Sequence, residues 1–167
     1  MRRLPLPILV LGLSLGCAAN DDGDVDSAAQ GWRAASAAMQ QVGDDLAVSE
    51  HGGPLSVRAA CPEGGEIAVV GDADLAAFSA TIRFEDCGAE SVRIDGELSV
   101  SGEGSAQSLT VEYVGELDFR GAVETTCVVD MTATTSTQIE GTQVSAQARL
   151  SGSICGVEAN LAAHAGS

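Results

Sequence analysis

The sequence predicts a mainly β protein, a curved antiparallel meander of six to eight strands packed against one N-terminal amphipathic helix. Three observations predict it. Apolar and polar residues alternate with period two over most of the chain from Leu55 onward, the pattern of strands with one dry and one wet face. Glycine-rich breaks interrupt that alternation at short intervals, and short connections make antiparallel neighbours. Ahead of the strands, one stretch repeats its apolar residues at spacings of three and four, the period of a helix.

Residues 1–16 read as a secretory signal. Arg2 and Arg3 precede an apolar run from Leu4 to Leu15 that ends on the small Gly16, the charge, apolar, small-residue order of an export signal. The run is shorter than the roughly 20 apolar residues that span a bilayer, and Pro5 and Pro7 break its first turn. Residues 17–26 follow as an acidic tether. Asp22, Asp24 and Asp26 are spaced like the first ligands of an EF-hand loop, but Arg33 stands where that loop needs a bidentate Glu and its central Gly is missing, so a solvated linker is expected rather than a calcium site.

Residues 27–167 are expected to form one β-rich domain opened by the helix. From Ser27 to about Ala47, Trp32, Ala35, Met39, Val42 and Leu46 mark a narrow apolar stripe. Asp26 or Ser27 caps its start, and "SEHGGP" ends it. Then Phe78, Ala80, Ile82 and Phe84 alternate with Ser79, Thr81, Arg83 and Glu85. Val92, Ile94, Leu98 and Val100 alternate with Arg93, Glu97 and Ser99, and Leu109, Val111, Tyr113, Leu117 and Phe119 alternate with Thr110, Glu112, Glu116 and Asp118. The series continues through Val123–Thr135, Val144–Leu150 and Val157–Leu161, with turns near Asp72, Gly88, Gly104, Gly121, Gly141 and Gly152. A β-sandwich with the helix outside is the second architecture. A solenoid is weaker, because no fixed repeat length is found.

Four cysteines follow the tether: Cys61, Cys87, Cys127 and Cys155. In an exported chain they read as two disulfides with three pairings. Cys61 and Cys87 are symmetric about Asp74, and Cys127 and Cys155 about Gly141, so each hairpin brings its own cysteines together; these local pairs are favoured. Cys87 with Cys127, symmetric about Gln107, stays open. Cys155 is out of phase with the inward even positions Val144 and Leu150, which calls for a bulge near Gly152. Zinc ligation is not expected, since its cysteines sit two to four residues apart or are joined by histidines.

The Gly16–Cys17 junction resembles the lipobox of bacterial lipoproteins, with Ser14 where that family usually has Leu. The resemblance covers the first seventeen residues. It implies cleavage before Cys17, diacylglycerol on its thiol and an acyl group on its new amino terminus. Acyl chains at about 0.8 kcal/mol per buried CH₂ then hold the protein to a membrane. Ala18, rather than Asp, follows the cysteine, which in a Gram-negative source implies the outer membrane facing the periplasm or the exterior.

Loss of residues 1–16 leaves six arginines, no lysine and 24 acids, a formal charge of -18. Such a body repels phosphate, so nucleic acid is not an expected partner and neither are anionic head groups. The absence of lysine reads as the coding bias of a GC-rich genome.

No constellation for catalysis stands out. His51 lies in "SEHGGP" and His164 three residues from the end, neither on a rigid seat for proton transfer. No Ser occupies a G-x-S-x-G elbow, and the "GSICG" around Cys155 reads as half of a cystine. No cofactor and no metal are expected. The leading expectation is therefore a cell-envelope lipoprotein with a non-enzymatic binding or structural role. The alternative is a carrier of an apolar ligand or lipid between helix and sheet, with Trp32, Met39, Phe84 and Phe119 lining the cavity. A hydrolase using the strand carboxylates Glu97, Glu112, Glu116 and Asp118 is the weaker alternative, because alternating strands put them on the wet face.

Overall fold

In a computed structural model, which describes residues 23–45, 52–74, 76–105, 107–140 and 143–166, the chain forms one helix followed by one open sheet of eight antiparallel strands. The helix is α1 (Gly23–Asp45); the strands are β1 (Gly53–Ala60), β2 (Glu66–Ala73), β3 (Ala77–Ala89), β4 (Val92–Gly104), β5 (Ser108–Gly121), β6 (Thr125–Glu140), β7 (Gln143–Ile154) and β8 (Val157–Gly166). They lie in sequence order, each paired with its neighbours in the chain. The architecture is the helix-on-meander layout; the two-sheet sandwich is not formed.

One face of this sheet is dry and α1 covers it, packing on β1, β2, β3, β4 and β6. Phe84, Ile94, Leu98, Leu117 and Phe119 are fully buried beneath it. No polar or charged residue is buried among the described residues, so water is excluded from this layer without orphaned hydrogen-bonding groups.

The helix differs from the expected one in extent and in the face it buries. It begins at Gly23, ahead of the expected cap, so part of the acidic tether belongs to its first turn. Asp26 suits that end, where the unpaired amides carry partial positive charge. The buried face is Ala28, Gly31, Ala34, Ala35, Ala38 and Val42, while Trp32 and Met39 flank it half-buried. A face of small residues brings helix and sheet close together. At Gly31 an added Cβ would stand 2.7 Å from the ring of Phe119, inside any van der Waals contact. Leu46, the last expected stripe residue, and residues 49–51 of the expected stop lie outside the described residues.

Turns between β2 and β3, β3 and β4, β4 and β5, and β5 and β6 fall within a few residues of the expected glycines. The one expected near Gly141 lies outside the described residues. A turn not anticipated, residues 61–65, separates β1 from β2 and folds back onto β3: the Glu63 amide donates to the Gly88 carbonyl (2.8 Å) and the Gly88 amide to that of Gly64 (2.7 Å). The Glu63 carboxylate accepts from the Ser91 amide at 3.0 Å, tying this turn to the one between β3 and β4.

Both local cysteine pairs are formed. Cys61 in the first turn bonds Cys87 of β3, Cα atoms 5.4 Å apart, and Cys127 of β6 bonds Cys155, Cα atoms 4.2 Å apart. The expected bulge at Gly152 is not there. β6 and β7 keep one register from Glu140↔Gln143 through Met131↔Gly152 to Val129↔Ile154. The phase problem is solved in the turn instead. Cys155 and Gly156 form the two-residue connection from β7 to β8 with φ of 50° and 78°, the all-positive pattern of a type I′ turn. Off the strand, Cys155 need not obey alternation, and its amide donates to the Val128 carbonyl at 2.9 Å. A bulge does occur in the other cystine hairpin. Between Phe84 and Cys87 β3 carries one extra residue against β4, which moves the inward positions from even to odd and turns Cys87 and Ala89 into the core.

Two outcomes follow for stability. Gly31→Ala is expected to destabilise the fold by about 1 to 3 kcal/mol in denaturant unfolding through overpacking, despite the better helix propensity of alanine, and Phe119→Leu in the same chain is expected to recover part of the loss. A Gly31→Ala chain more stable than the native one would contradict the close contact. Removing either cystine by paired Cys→Ala substitution should cost about 3 to 4 kcal/mol in the chain-entropy account, and non-reducing peptide mapping should return the 61–87 and 127–155 fragments.

Candidate functional site

The four residues expected to line a cavity are brought together in one region: Phe84 and Phe119 belong to the buried cluster, and Trp32 and Met39 pack against it. Phe84 and Phe119 are each 2% exposed, sealed in the layer between helix and sheet, and Gly31 presses on the Phe119 ring. Trp32 packs edge-on to Tyr113, ring centroids 6.3 Å apart at 87°. The favourable edge-to-face geometry of that pair fastens the side of the helix to β5. Burial raises the Tyr113 hydroxyl above its ordinary pKa of 10.0, so it stays neutral.

Away from the helix the dry face is less fully covered. Leu109 and Val111 of β5, Leu150 of β7 and Leu161 of β8 are only half-buried. All belong to the part of the sheet remote from the cystines, whereas the fully buried side chains cluster near them.

On the wet face, a shallow depression of about 410 Å³ is lined by Asp95, Asp118, Phe119, Arg120, Thr125 and Thr126. It sits beside the β3 bulge. Cross-strand register would place like charges opposite each other here: Arg93 faces Arg120, Asp95 faces Asp118 and Glu97 faces Glu116, an unfavourable arrangement. Diagonal and next-strand partners relieve it. Arg120 bonds the Asp95 carboxylate and lies 3.7 Å from Asp86, Arg93 lies 3.7 Å from Asp86, and Arg83 of β3 donates to Glu97 at 2.8 Å. The Thr126 hydroxyl donates to Asp118 at 2.6 Å. The bulge adds a further donor, the Asp86 amide, 2.9 Å from Asp95.

Partial burial of Asp95 acts to raise its pKa, but it is outweighed by the Asp86 amide and by Arg120, and the carboxyl titrates below its ordinary value of 3.8. Asp95 is thus fixed as an anion at neutral pH, the reverse of the upward shift a carboxylic general acid needs. Asp74 is lowered as well, by the amides of Ala76 and Ala77, each donating at 2.7 Å across the β2–β3 turn.

Among the expected hydrolytic carboxylates, Asp118 lines the depression, Glu97 is paired with Arg83, and Glu112 and Glu116 lie exposed on the same outer face. The sequence reading passed over Asp86, Asp95, Arg93 and Arg120. Alternation marks Asp95, Arg93 and Arg120 as wet, but the even-numbered Asp86 falls in phase with the inward Phe84, and the bulge turns it outward to meet them. The only signal was the doublet "ED" before Cys87, where two successive polar residues break the period.

His51 and Cys17 lie outside the described residues, as does the acidic stretch before Gly23; His164 sits in β8, opposite Gln147 of β7. Among the described residues no group of three His, Cys, Asp or Glu is gathered to hold a metal ion, and no helix is long and apolar enough to cross a membrane. Comparison with protein families, with curated proteins and with solved structures returns no match.

The low pKa of Asp95 sets a pH dependence. A group depressed in the folded state adds stability that is present above its unfolded pKa and is lost as pH falls through its folded one. The Asp95 contribution should therefore be complete at neutral pH and disappear only below the ordinary carboxylate range. Carboxyl NMR titration should place its midpoint under 3.8, and Arg120→Ala should move that midpoint upward with little change in overall stability, because exposed ion pairs contribute little. An unmoved midpoint would remove Arg120 from the account.

Proposed function

We propose that the protein is a lipid-anchored component of a bacterial cell envelope, carried on Cys17, whose disulfide-bonded body serves a non-enzymatic binding or structural role. The observation that carries this reading is the order Arg2–Arg3, apolar run, Gly16–Cys17. The two cystines support it, since such bonds persist in exported proteins and are rare in the cytosol. The acidic body supports it too: a formal charge of -18 after cleavage holds it off anionic head groups, leaving the acyl chains as the means of attachment. Ala18 after the cysteine favours the outer membrane.

Carriage of an apolar ligand is a second reading. The sealed Phe84 and Phe119 count against a chamber at that point, and the half-buried Leu109, Val111, Leu150 and Leu161 favour a ligand at the remote part of the dry face instead. Native mass spectrometry of the body separates the two readings: co-purifying lipid favours carriage, and its absence favours the anchor-and-body role.

For the anchor, intact-mass analysis of the N-terminal peptide should show Cys17 as the first residue with acyl chains attached. Cys17→Ala should shift the protein out of the lipid-modified pool and block cleavage at Gly16. A native N-terminus without acyl mass would refute the proposal.

A further inference from the structure

Eight strands in an open meander leave two outer edges, and the two are treated differently. β1 carries Pro54 and Arg58 and has α1 packed beside it. These are the devices by which a sheet edge is kept from pairing. β8 has none of them. It runs for ten residues, VEANLAAHAG, without proline, lysine or arginine, its register with β7 is unbroken from Ile154↔Val157 to Ser145↔Gly166, and among the described residues β7 is its one neighbour.

Charge singles out the same edge. The mature chain holds 24 acids against six arginines, so copies repel one another over most of their surface. β7 and β8 together carry one arginine, Arg149, and one acid, Glu158. Two copies can approach along β8 without setting their acidic surfaces face to face.

The strand is also complementary to itself. Because Ile154↔Val157 closes a two-residue turn, odd positions from Val157 onward direct their peptide groups to β7, and positions 158, 160, 162 and 164 direct theirs outward. A two-fold axis through Leu161 pairs 158 with 164 and 160 with 162, so every outward peptide group meets another outward group. On the dry side Leu161 meets its own copy and Ala159 meets Ala163. Leu161 is half-buried within one copy and would be covered by the other.

We propose that β8 is the surface on which two copies of this chain join, edge to edge and antiparallel about Leu161, so that the sheet continues from one copy into the next. The inference goes beyond the envelope reading and does not depend on the lipid.

Sedimentation equilibrium of the full chain in density-matched detergent tests it. The native protein is expected to show a dimer that strengthens as salt screens the acidic bodies. Ala162→Pro removes an outward amide that β7 does not use, a substitution edge strands tolerate, and should weaken the dimer at least tenfold while the unfolding midpoint stays near the native one. Asn160→Lys with Ala162→Lys should do the same by repulsion across the axis. Leu161→Cys should link two chains through a disulfide on a non-reducing gel, whereas Ser151→Cys, exposed on β7, should not. A monomer at every loading concentration overturns the proposal. So does a dimer that both strand variants leave intact, or one in which position 161 does not cross-link.

Discussion

The rest of the molecule depends on covering the dry side of a single open sheet. A meander pairs each strand only with its neighbours, so it supplies no second layer of its own, and α1 is the layer that excludes water. The helix does this with alanines and a glycine, not with large side chains. Small residues give little buried area each, but they bring the backbone close enough for the phenylalanines, leucines and isoleucines of the sheet to fill the gap. At Gly31 there is no room even for a Cβ, which would stand against the Phe119 ring.

Burial is uneven as a result. The side chains under the helix and near the cystines are sealed, while the dry face toward the turns at 74–76 and 105–107 is partly open. Both cystines sit at the sealed end, at the turns that join β1 to β2 and β7 to β8. There they tie the two outermost hairpins to the interior strands β3 and β6. Lacking many neighbours, an outer strand of a meander is the first to fray, and a covalent tie at its turn opposes this. At the other end the β2–β3 turn is held by hydrogen bonds: the Asp74 carboxylate accepts from the amides of Ala76 and Ala77, the Asp74 amide donates to the Ala77 carbonyl, and the Gly104 amide of β4 donates to that of Ala76.

The wet face follows from composition. A chain with three acids for every arginine and lysine has too few cations to pair each carboxylate, and strand register then decides which are served. Arg120 and Arg83 serve Asp95 and Glu97, the members of two like-charged cross-strand pairs. Asp95, held this way, stays an anion, which suits a hydrated surface more than one that trades protons.

Much of the fold was legible in the residues alone. Period-two alternation named the middle strands and their dry faces, because side-chain direction in a strand is fixed by backbone geometry and needs no tertiary information. The local cystines were legible for a related reason, since folding a hairpin at its turn sets which positions meet. Depth was not legible. Ala35 and Val42 of the expected stripe are buried, but Trp32 and Met39 are only half-buried while Ala28, Gly31, Ala34 and Ala38 outside it are deeper, because periodicity gives a direction and only packing against the sheet decides how far a side chain is from water. The same limit applies to Phe84 and Phe119, which read as cavity walls and are core. Phase was only half legible: Cys155 was seen to be out of step, but whether a bulge, a slip or a tight turn absorbs the mismatch depends on where the partner strand ends, and the structure uses the turn at Cys155 and puts its bulge at Asp86. Sequence by itself determined the helix and the alternating strands of the middle of the chain and favoured the local cystine pairs; tertiary structure decided the pairing itself, depth, phase and the meeting of Arg120 with Asp95, because these depend on register between strands, which no single strand contains.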